Sequence, residues 1–405
     1  MSTSNSTSSP KSWAMWAHIF AGLSASFIGI GLARFAYTPL IPSLIRAHWF
    51  SANDVVYLGA ANLAGYLLGA IIGRPIAARI NNVNTVRLMK VLATLSFFAC
   101  AFPISVSWFF CWRLASGIAG GTIMVLVAAT VLPHVPSHKR GTASGAVFLG
   151  LGLGIAASGT IVPLLLSYGL KETWIGLGVI SAVLTALGWF SWPPALPPAP
   201  KAGARIEAGS ADGMVKILIC TEYALMAIGL VPPMVFLVDF VARGLGAGEH
   251  VGAMFWILYG IGAIFGPPAY GFFADRLGPR RALRILLLLQ ACAVVGLAIS
   301  GNRLLLGVVI VVIGSFPPGI VPLMLACIRG TYADDTTRQN IVWSQATIVF
   351  AAFQALAGYA YSALFAASGG DHRLLFEIGA GAIAIAFALD LFLLPYPRRK
   401  QPAGS

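Results

Sequence analysis

The sequence predicts an all-α integral membrane protein whose twelve spanning helices form two pseudo-symmetric six-helix bundles. Composition is the first observation: 58% of the 405 residues are hydrophobic and only 10% are charged, whereas soluble domains carry about 25% charged residues. The second is that apolar runs long enough to cross a bilayer recur along the chain. The third is a repeat of small and aromatic residues between the two halves of the sequence.

Twelve apolar runs lie between polar breaks and have the length of about 20 residues that a spanning helix needs. An even number of spans places both ends of the chain on the same side of the membrane. The predicted spans are residues 13–43, 54–77, 86–106, 109–132, 141–167, 173–193, 215–241, 250–272, 281–299, 304–328, 341–366 and 375–395.

One long polar break divides six spans from six. It reads "PALPPAPKAGARIEAGSADG", and its Pro, Gly and small polar residues are typical of a flexible linker. The predicted organisation is a disordered cytoplasmic tail at 1–12, an N-terminal six-helix bundle at 13–193, a cytoplasmic linker at 194–213, a C-terminal six-helix bundle at 214–396 and a cytoplasmic tail at 397–405.

Basic residues are unevenly distributed among the predicted loops. Most of the 26 Lys and Arg residues fall on the side of the two termini, and cytoplasmic loops collect such residues. We therefore expect a multi-pass protein of the bacterial inner membrane with both termini in the cytoplasm. The net charge of +13 follows from this preference, so it does not indicate a nucleic-acid partner.

The two halves repeat each other internally. A set of residues in the second span recurs 193 positions later in the eighth, and "RLASG" at 113–117 is echoed by "RLLLG" at 303–307 at an offset of 190. Such a parallel repeat predicts a substrate site between the halves, near the middle of the bilayer. The recurring pairs are Gly59 and Gly252, Tyr66 and Tyr259, Gly69 and Gly262, Gly73 and Gly266, and Pro75 and Pro268.

The loop after the eighth span carries the motif "GFFADRLGPRRAL". It resembles the G-x-x-x-D-R-x-G-R-R signature of the major facilitator superfamily, in which the Asp and the basic residues hold cytoplasmic helix ends together in the outward-facing state. In the first half, Asn82 stands where the repeat predicts the Asp, so a weaker gate is expected there. The gate residues that the resemblance implies are Gly271, Asp275, Arg276, Arg280 and Arg281.

Two further segments resemble members of this superfamily. "ARFAYTPLIP" at 33–42 is similar to the first span of the YbfB/YjiJ-type facilitators. "RLASGIAGG", which begins at Arg113, is similar to the R-x-x-x-G pattern of the fourth span, where the arginine has been linked to proton movement. Because Arg113 falls at the outer end of its predicted span, an alternative is that its side chain extends to the lipid headgroups.

Arg34 is the strongest candidate for substrate binding. It lies within the first span, roughly 18 Å along the helix from Arg46, the nearer charged residue. Ionisable groups at such depth are costly and mark substrate or proton paths. On a helix, Gly31, Tyr37 and Thr38 share its face, and these small and hydroxyl neighbours leave room for a ligand. Arg34 is interpreted as the binding group for an anionic substrate, with a permanent ion pair between helices as the alternative.

Glu222 is the candidate proton-coupling residue. It lies six residues beyond Lys216 in the seventh span, and the next charged residue is Asp239. A carboxylate so placed can exchange a proton during transport or pair with an arginine such as Arg34. The alternative is a position still within the cytoplasmic interface.

Uncharged polar residues inside the spans need partners, either in helix–helix hydrogen bonds or in a hydrated cavity, and both options are open. Those predicted to line the substrate site are Asn62, Tyr66, Tyr259, Trp343 and Gln345, with Gln354 as a further candidate. The remaining acidic residues are expected to be structural. Asp239 and Arg243 have the spacing of a local ion pair, and Glu377 and Asp390 lie in the peripheral twelfth span.

No catalytic, metal or cofactor site is predicted, and the protein is not expected to be an enzyme. The sequence has no G-x-x-x-x-G-K-[ST] loop for ATP. His134 and His138 have a spacing that can bind metal, but Pro136 lies between them and the Glu of a zinc protease is absent. The five cysteines have no metal-binding spacing and are interpreted as core residues.

The function predicted from these features is secondary active transport of a small organic molecule, with an organic anion favoured, by alternating access. The expected partners are the substrate, a proton or another coupling ion, and the lipid bilayer, with the chain acting as a monomer and without a cofactor. One alternative is proton-driven efflux of amphipathic drugs or metabolites. Another is a membrane receptor or scaffold that transports nothing.

Overall fold

The computed structural model describes residues 12–136, 140–194, 210–333 and 335–393. The predicted tails, most of the predicted linker and the part of the His134–His138 motif at 137–139 lie outside these ranges. Within them, twelve helices are long and apolar enough to cross a membrane, as predicted. They are α1 (Trp13–Arg46), α2 (Ala52–Ile80), α3 (Asn82–Cys100), α4 (Val106–His134), α5 (Gly145–Leu166), α6 (Leu170–Leu187), α7 (Gly213–Gly244), α8 (Glu249–Leu277), α9 (Pro279–Ile299), α10 (Arg303–Thr331), α11 (Ile341–Ala367) and α12 (His372–Phe392).

Two helices end earlier than predicted. α3 ends at Cys100 instead of residue 106, and α6 ends at Leu187 instead of residue 193. In both places apolar residues continue past the helix, including Phe102 and Phe190, which are exposed. Hydropathy therefore extends the predicted spans into apolar loops that are not helical.

The twelve helices run alternately up and down, so the molecule has two ends. We call the end where α1 begins and α12 ends the terminal end, and the end that carries Arg46 and Glu249 the distal end. The two bundles contact each other through α2 with α11 and through α5 with α8. α1 and α7 are the most buried helices, with 78% and 83% of their apolar windows inside the protein. The centre of the molecule therefore lies around α1 and α7.

The two bundles share one packing pattern, in which a glycine lies against a backbone carbonyl of the neighbouring helix. A Cβ atom placed on Gly69 of α2 would lie 2.1 Å from the carbonyl oxygen of Ile118 on α4. One placed on Gly262 of α8 would lie 2.0 Å from that of Val311 on α10. Any side chain would force these helices apart, so glycine is required at both positions. The two contacts are related by the predicted offset of 193 residues, and the halves are pseudo-symmetric.

The predicted offset of 190 residues between Arg113 and Arg303 is wrong. The contacts of α2 with α4 recur between α8 and α10 at an offset of 193, so the position equivalent to Arg113 is Leu306. The sequence match pairs Arg113, in the interior of α4, with Arg303 at the start of α10, whereas the close glycine contacts determine the structural register.

The cysteine prediction is only partly correct. Cys100 and Cys327 are buried, but Cys111 and Cys292 are exposed. A small apolar side chain is equally stable on the outer face of a membrane helix, so an apolar run does not distinguish the two environments.

α1 is not a continuous α-helix. Its first part ends at Ser26, a π-helical turn follows at Phe27–Leu32, and a 3₁₀ turn occupies Thr38–Leu40. The residue pattern accounts for both breaks. Gly31 allows the π-helical turn to approach Gly154 of α5 closely, and Pro39 has no backbone N–H to continue the α-helical hydrogen bonds. The short helical segment between these turns carries Arg34.

The glycine contacts generate a stability prediction. Changing Gly262 to Ala should lower the melting temperature in detergent, because overpacking of this kind costs about 1–3 kcal/mol of unfolding free energy. Gly381→Ala is the matched control, since a Cβ there meets open space. Equal melting temperatures for the two variants would show that α8 and α10 do not pack as described.

Candidate substrate site between the two bundles

Arg34 lies at the centre of the molecule with an incompletely bonded guanidinium group. Its Nε and Nη2 atoms are buried and have no hydrogen-bond partner among the described residues. The guanidinium carbon lies 5.1 Å from the centre of the Tyr66 ring and 5.6 Å from that of Phe35, distances at which a cation is attracted to an aromatic face. Two guanidinium nitrogens therefore remain available to an acceptor.

Tyr66 and Tyr259, which the repeat relates to each other, lie on either side of this site. Tyr66 belongs to α2 of the first bundle and Tyr259 to α8 of the second, and both interact electrostatically with Arg34. The Tyr259 hydroxyl is buried without a hydrogen-bond partner among the described residues. Arg34 therefore lies at the interface between the bundles, as predicted for a transport site.

Tyr259 is held in place by an aromatic partner that sequence reasoning missed. Its ring stacks on Trp256, with 4.7 Å between ring centres. The Trp256 indole Nε1–H donates a hydrogen bond of 2.8 Å to Ser158 Oγ on α5 of the other bundle. The spacing of Trp256 and Tyr259, three residues apart on a helix, was the available signal.

Arg113 is a second central cation, and the alternative that placed its side chain at the lipid headgroups is wrong. Its side chain is 3% exposed, Nη1 donates a 2.8 Å hydrogen bond to the carbonyl oxygen of Ala33, and its guanidinium carbon lies 4.3 Å from the centre of the Tyr37 ring. α4 begins at Val106 instead of residue 109. Arg113 is therefore about 4.5 Å deeper than predicted.

Tyr37 and Asn62 support this pair of arginines. The Tyr37 hydroxyl donates a 2.6 Å hydrogen bond to the carbonyl oxygen of Val55, which fixes the ring beneath Arg113. Asn62 Nδ2 donates to Ser116 Oγ at 2.8 Å and to the Arg113 carbonyl oxygen at 3.4 Å. For Asn62, helix–helix hydrogen bonding is therefore the arrangement observed.

The two predicted residues of α11 lie in different surroundings. Trp343 packs near Tyr223 of α7, with 6.2 Å between ring centres. Gln345 is exposed. Residues two positions apart on a helix do not share a face, so Gln345 points away from the cluster that contains Trp343. Gln354, the further candidate, is buried.

Glu222 does not pair with Arg34, so that alternative is wrong. Glu222 Oε2 lies 3.0 Å from Arg280 Nη1, and the same Arg280 nitrogen lies 2.7 Å from Asp390 Oδ1. Arg284 also binds the Asp390 carboxylate. We call these four residues the terminal ion cluster. The spacing of charged residues along α7 does not reveal the partners of Glu222, because α9 and α12 supply the other members of the cluster.

The terminal ion cluster also changes the interpretation of Asp390 and Arg280. Asp390 is completely buried although it belongs to the twelfth span, which was expected to be peripheral, and these contacts agree with the structural role expected for it. Arg280, predicted as a gate residue, is 6% exposed and points into the second bundle. α9 begins at Pro279, within the motif, so Arg280 lies in the first turn of α9, which faces α7 and α12.

The other gate residues lie at the surface of the terminal end. Asp275, Arg276 and Arg281 are exposed, and a Cβ atom on Gly271 would meet open space. Arg276 lies over the ring of Phe272, 4.9 Å from its centre. Apart from Arg280, the predicted gate residues therefore lie at the surface of this end.

At the distal end the bundles are joined by direct contacts. Thr38 Oγ1 donates a 2.9 Å hydrogen bond to the carbonyl oxygen of Met234. Glu249 Oε2 accepts from Ser43 Oγ at 2.8 Å and pairs with Arg46 Nη2 at 2.7 Å. A cavity of about 520 Å³ beside this contact is open to the distal side. The bundles are thus closed against each other between Arg34 and the distal end.

The predicted local ion pair on α7 is confirmed. Arg243 Nε and Nη2 donate to the carboxylate of Asp239. His372 Nε2 lies 2.7 Å from Asp239 Oδ2, a contact from α12 that the sequence did not predict. Asp239 therefore also has its partners within the second bundle.

Twelve helices in two pseudo-symmetric bundles are the fold of transporters of the major facilitator superfamily (MFS). The family model described as "Uncharacterised MFS-type transporter YbfB" matches residues 26–391. The chain belongs to this family, which confirms the resemblance found in its motifs.

Solved structures support the fold independently of sequence. The xylose transporter XylE from E. coli, in a partially occluded inward open conformation, superposes with a TM-score of 0.76 over 96% of this chain and all of that one, at 13% identity. A D-xylose-proton symporter superposes with a TM-score of 0.75, also at 13% identity, over 95% and 98% of the two chains. At this identity the likeness shows the fold alone.

Sequence relatives include proteins of several kinds. A protein from Thermoproteus tenax, described as an uncharacterized 38 kDa protein in the 23S RNA operon, is 26% identical over 94% of this chain and 98% of its own. A glucose transport protein of Synechocystis is 37% identical over 20% of this chain, and the sugar transporter ERD6-like 15 of Arabidopsis thaliana is 30% identical over 31%. The matched segments span only 17% and 27% of those two relatives.

The terminal ion cluster generates a second prediction. Arg280→Met should leave two buried carboxylates without their shared partner, and removal of one member of a buried ion pair costs about 3–5 kcal/mol. The melting temperature in detergent should therefore fall strongly. Arg276→Met is the control, because it removes an exposed arginine of the same motif. If both variants unfold at the wild-type temperature, the cluster does not stabilise the second bundle.

Proposed function

We propose that this transporter moves a small organic anion by alternating access and that Arg34 binds the anion. One observation carries the proposal: the two buried, unpartnered nitrogen atoms of Arg34 at the interface between the bundles. A buried cation is stabilised by pairing and hydrogen bonding, and a carboxylate can accept two parallel N–H bonds from a guanidinium. A bound anion therefore supplies what the protein leaves missing.

The distal contacts support alternating access around this site. Ser43 and Arg46 of α1 and Glu249 of α8 belong to different bundles, so a rocking motion that opens the distal end breaks their contacts. At the terminal end, we propose that Asp275, Arg276 and Arg281 form the gate, with Gly271 beside them at the helix surface. The substrate would then reach Arg34 from each side in turn.

Glu222 is the residue that we propose for proton coupling. Its Oε1 atom has no hydrogen-bond partner among the described residues, whereas Oε2 binds Arg280. Protonation of Glu222 would weaken its attraction to Arg280 and so loosen the ion pair that joins α7 to α9. We propose that this step, and not a direct pair with Arg34, links proton binding to the movement of α7.

The proposed setting is the bacterial inner membrane, with the terminal end in the cytoplasm and the chain acting as a monomer. The distribution of basic residues supports this orientation. Uptake is favoured over efflux because Arg34 offers a specific charge instead of a broad apolar surface. A receptor or scaffold would bind the anion without moving it.

A neutral sugar is the second candidate substrate. Two sequence relatives and two solved structures carry the names of sugar transporters, and Trp256 and Tyr259 present stacked aromatic rings near the site. Sugar binding would leave the Arg34 charge unneutralised, so the anion is preferred.

Flux through proteoliposomes tests the proposed substrate class. We expect accumulation of labelled organic anions from a panel of carboxylates, and loss of at least about 100-fold in Arg34→Gln, since charge-assisted bonds to a buried partner contribute about 1.5–3 kcal/mol each. Arg373→Gln, at an exposed arginine, should retain wild-type flux. Uptake of glucose or xylose that is unaffected by Arg34→Gln would favour the sugar, and binding of anions without flux would favour a receptor.

A pH gradient tests the role of Glu222. In the wild type, an imposed gradient should drive anion accumulation. Glu222→Gln should lose this response but retain exchange of internal for external anion, because exchange needs no net proton movement. Glu377→Gln is the control, since Glu377 is exposed on α12. A full response to the gradient in Glu222→Gln would exclude Glu222 as the coupling residue.

A further inference from the structure

We infer that the site takes a dianion with two separate carboxylate groups and that Arg113 is its second binding cation. This inference rests on the proposed function, in which Arg34 binds an anion. It adds a residue that lies on a different helix and that was not among the predicted substrate-binding residues.

The distribution of buried charge is the first argument. Arg34 and Arg113 lie close enough to repel each other, and both belong to the first bundle. The carboxylates of Glu222, Asp239 and Asp390 are buried in the second bundle, where each already pairs with an arginine. Within the described residues, the centre of the molecule therefore holds two cations and no carboxylate to balance them. Two negative charges from a substrate would neutralise it.

The bonding of Arg113 is the second argument. Nη1 binds the carbonyl oxygen of Ala33, the residue that precedes Arg34, at 2.8 Å. This bond holds the guanidinium group beside the backbone of Arg34. The Nε atom of Arg113 is buried without a hydrogen-bond partner in the part of the chain that the structure describes. Arg113 thus keeps a donor for a ligand, as Arg34 keeps two.

The aromatic surroundings indicate two anionic groups instead of one. Arg34 lies over Tyr66 and Phe35, whereas Arg113 lies over Tyr37. Each guanidinium is held by its own ring, so the two cations are fixed as separate groups, and a single carboxylate at Arg34 would leave the charge of Arg113 unbalanced. Two carboxylates joined by a short carbon chain match this arrangement, and the unpartnered hydroxyl of Tyr259 adds a donor from the second bundle.

A structural role for Arg113 makes a different prediction. If Arg113 only braces the carbonyl of Ala33 in the interrupted segment of α1, its loss would disturb Arg34 and weaken all anions alike. If Arg113 binds the second carboxylate, its loss would weaken dianions and leave monoanions unaffected. The comparison of the two ligand classes therefore separates the two roles.

The experiment measures binding of succinate and butyrate to the purified full chain, at a pH where both carboxyl groups of succinate are ionised. These acids share a four-carbon chain and differ by one carboxylate. We expect the wild type to bind succinate about tenfold or more tightly than butyrate, the effect of one further charge-assisted contact. Arg113→Gln should abolish this preference by weakening succinate alone, and Arg113→Lys should restore part of it.

Arg303→Gln is the matched control. Arg303 is the exposed arginine at the start of α10 that the sequence match had paired with Arg113. A series from malonate to adipate in the wild type needs no variant and should show an optimum chain length. Equal binding of succinate and butyrate, equal weakening of both by Arg113→Gln, or tighter binding of a phosphate monoester would overturn the inference. Failure of every carboxylate to bind the wild type would overturn the proposed function itself.

Discussion

The unbalanced charge of Arg34 is the constraint on which the rest of this structure depends. A guanidinium group in an apolar centre must be stabilised by pairing, by aromatic faces or by a ligand. Here the protein supplies aromatic faces from Tyr66 and Phe35, but the residues that the structure describes leave two guanidinium nitrogens without a hydrogen-bond partner. The interruption of α1 by a π-helical turn and a 3₁₀ turn places this group on a short segment between the bundles.

A symmetric scaffold holds an asymmetric set of charges. The same glycine contacts pack α2 on α4 and α8 on α10, and they place Tyr66 and Tyr259 at equivalent positions beside one arginine. The central cations belong to the first bundle, whereas the buried carboxylates Glu222, Asp239 and Asp390 belong to the second. The proposed anion-binding residue Arg34 and the proposed proton-binding residue Glu222 therefore belong to different bundles, and a relative movement of the two bundles would connect them.

The motif of the terminal end is divided between two environments. Asp275 and Arg276 remain at the surface, while Arg280, four residues further on, enters the terminal ion cluster. The helix boundary between them accounts for the difference, since α8 ends at Leu277 and α9 begins at Pro279. One stretch of basic residues thus serves both the proposed gate and the interior of the second bundle.

The sequence by itself determined the twelve helices, the family, the repeat in α2 and α8, the depth of Arg34 and the local pair of Asp239 with Arg243. All of these depend on neighbouring residues or on a fixed spacing along one chain. Only the tertiary structure decided the burial of Arg113, the turn of Gln345 away from the site, and the pairing of Glu222 with Arg280 instead of Arg34. Hydropathy and periodicity describe one helix at a time, whereas the partner of a buried charge depends on which faces of distant helices meet.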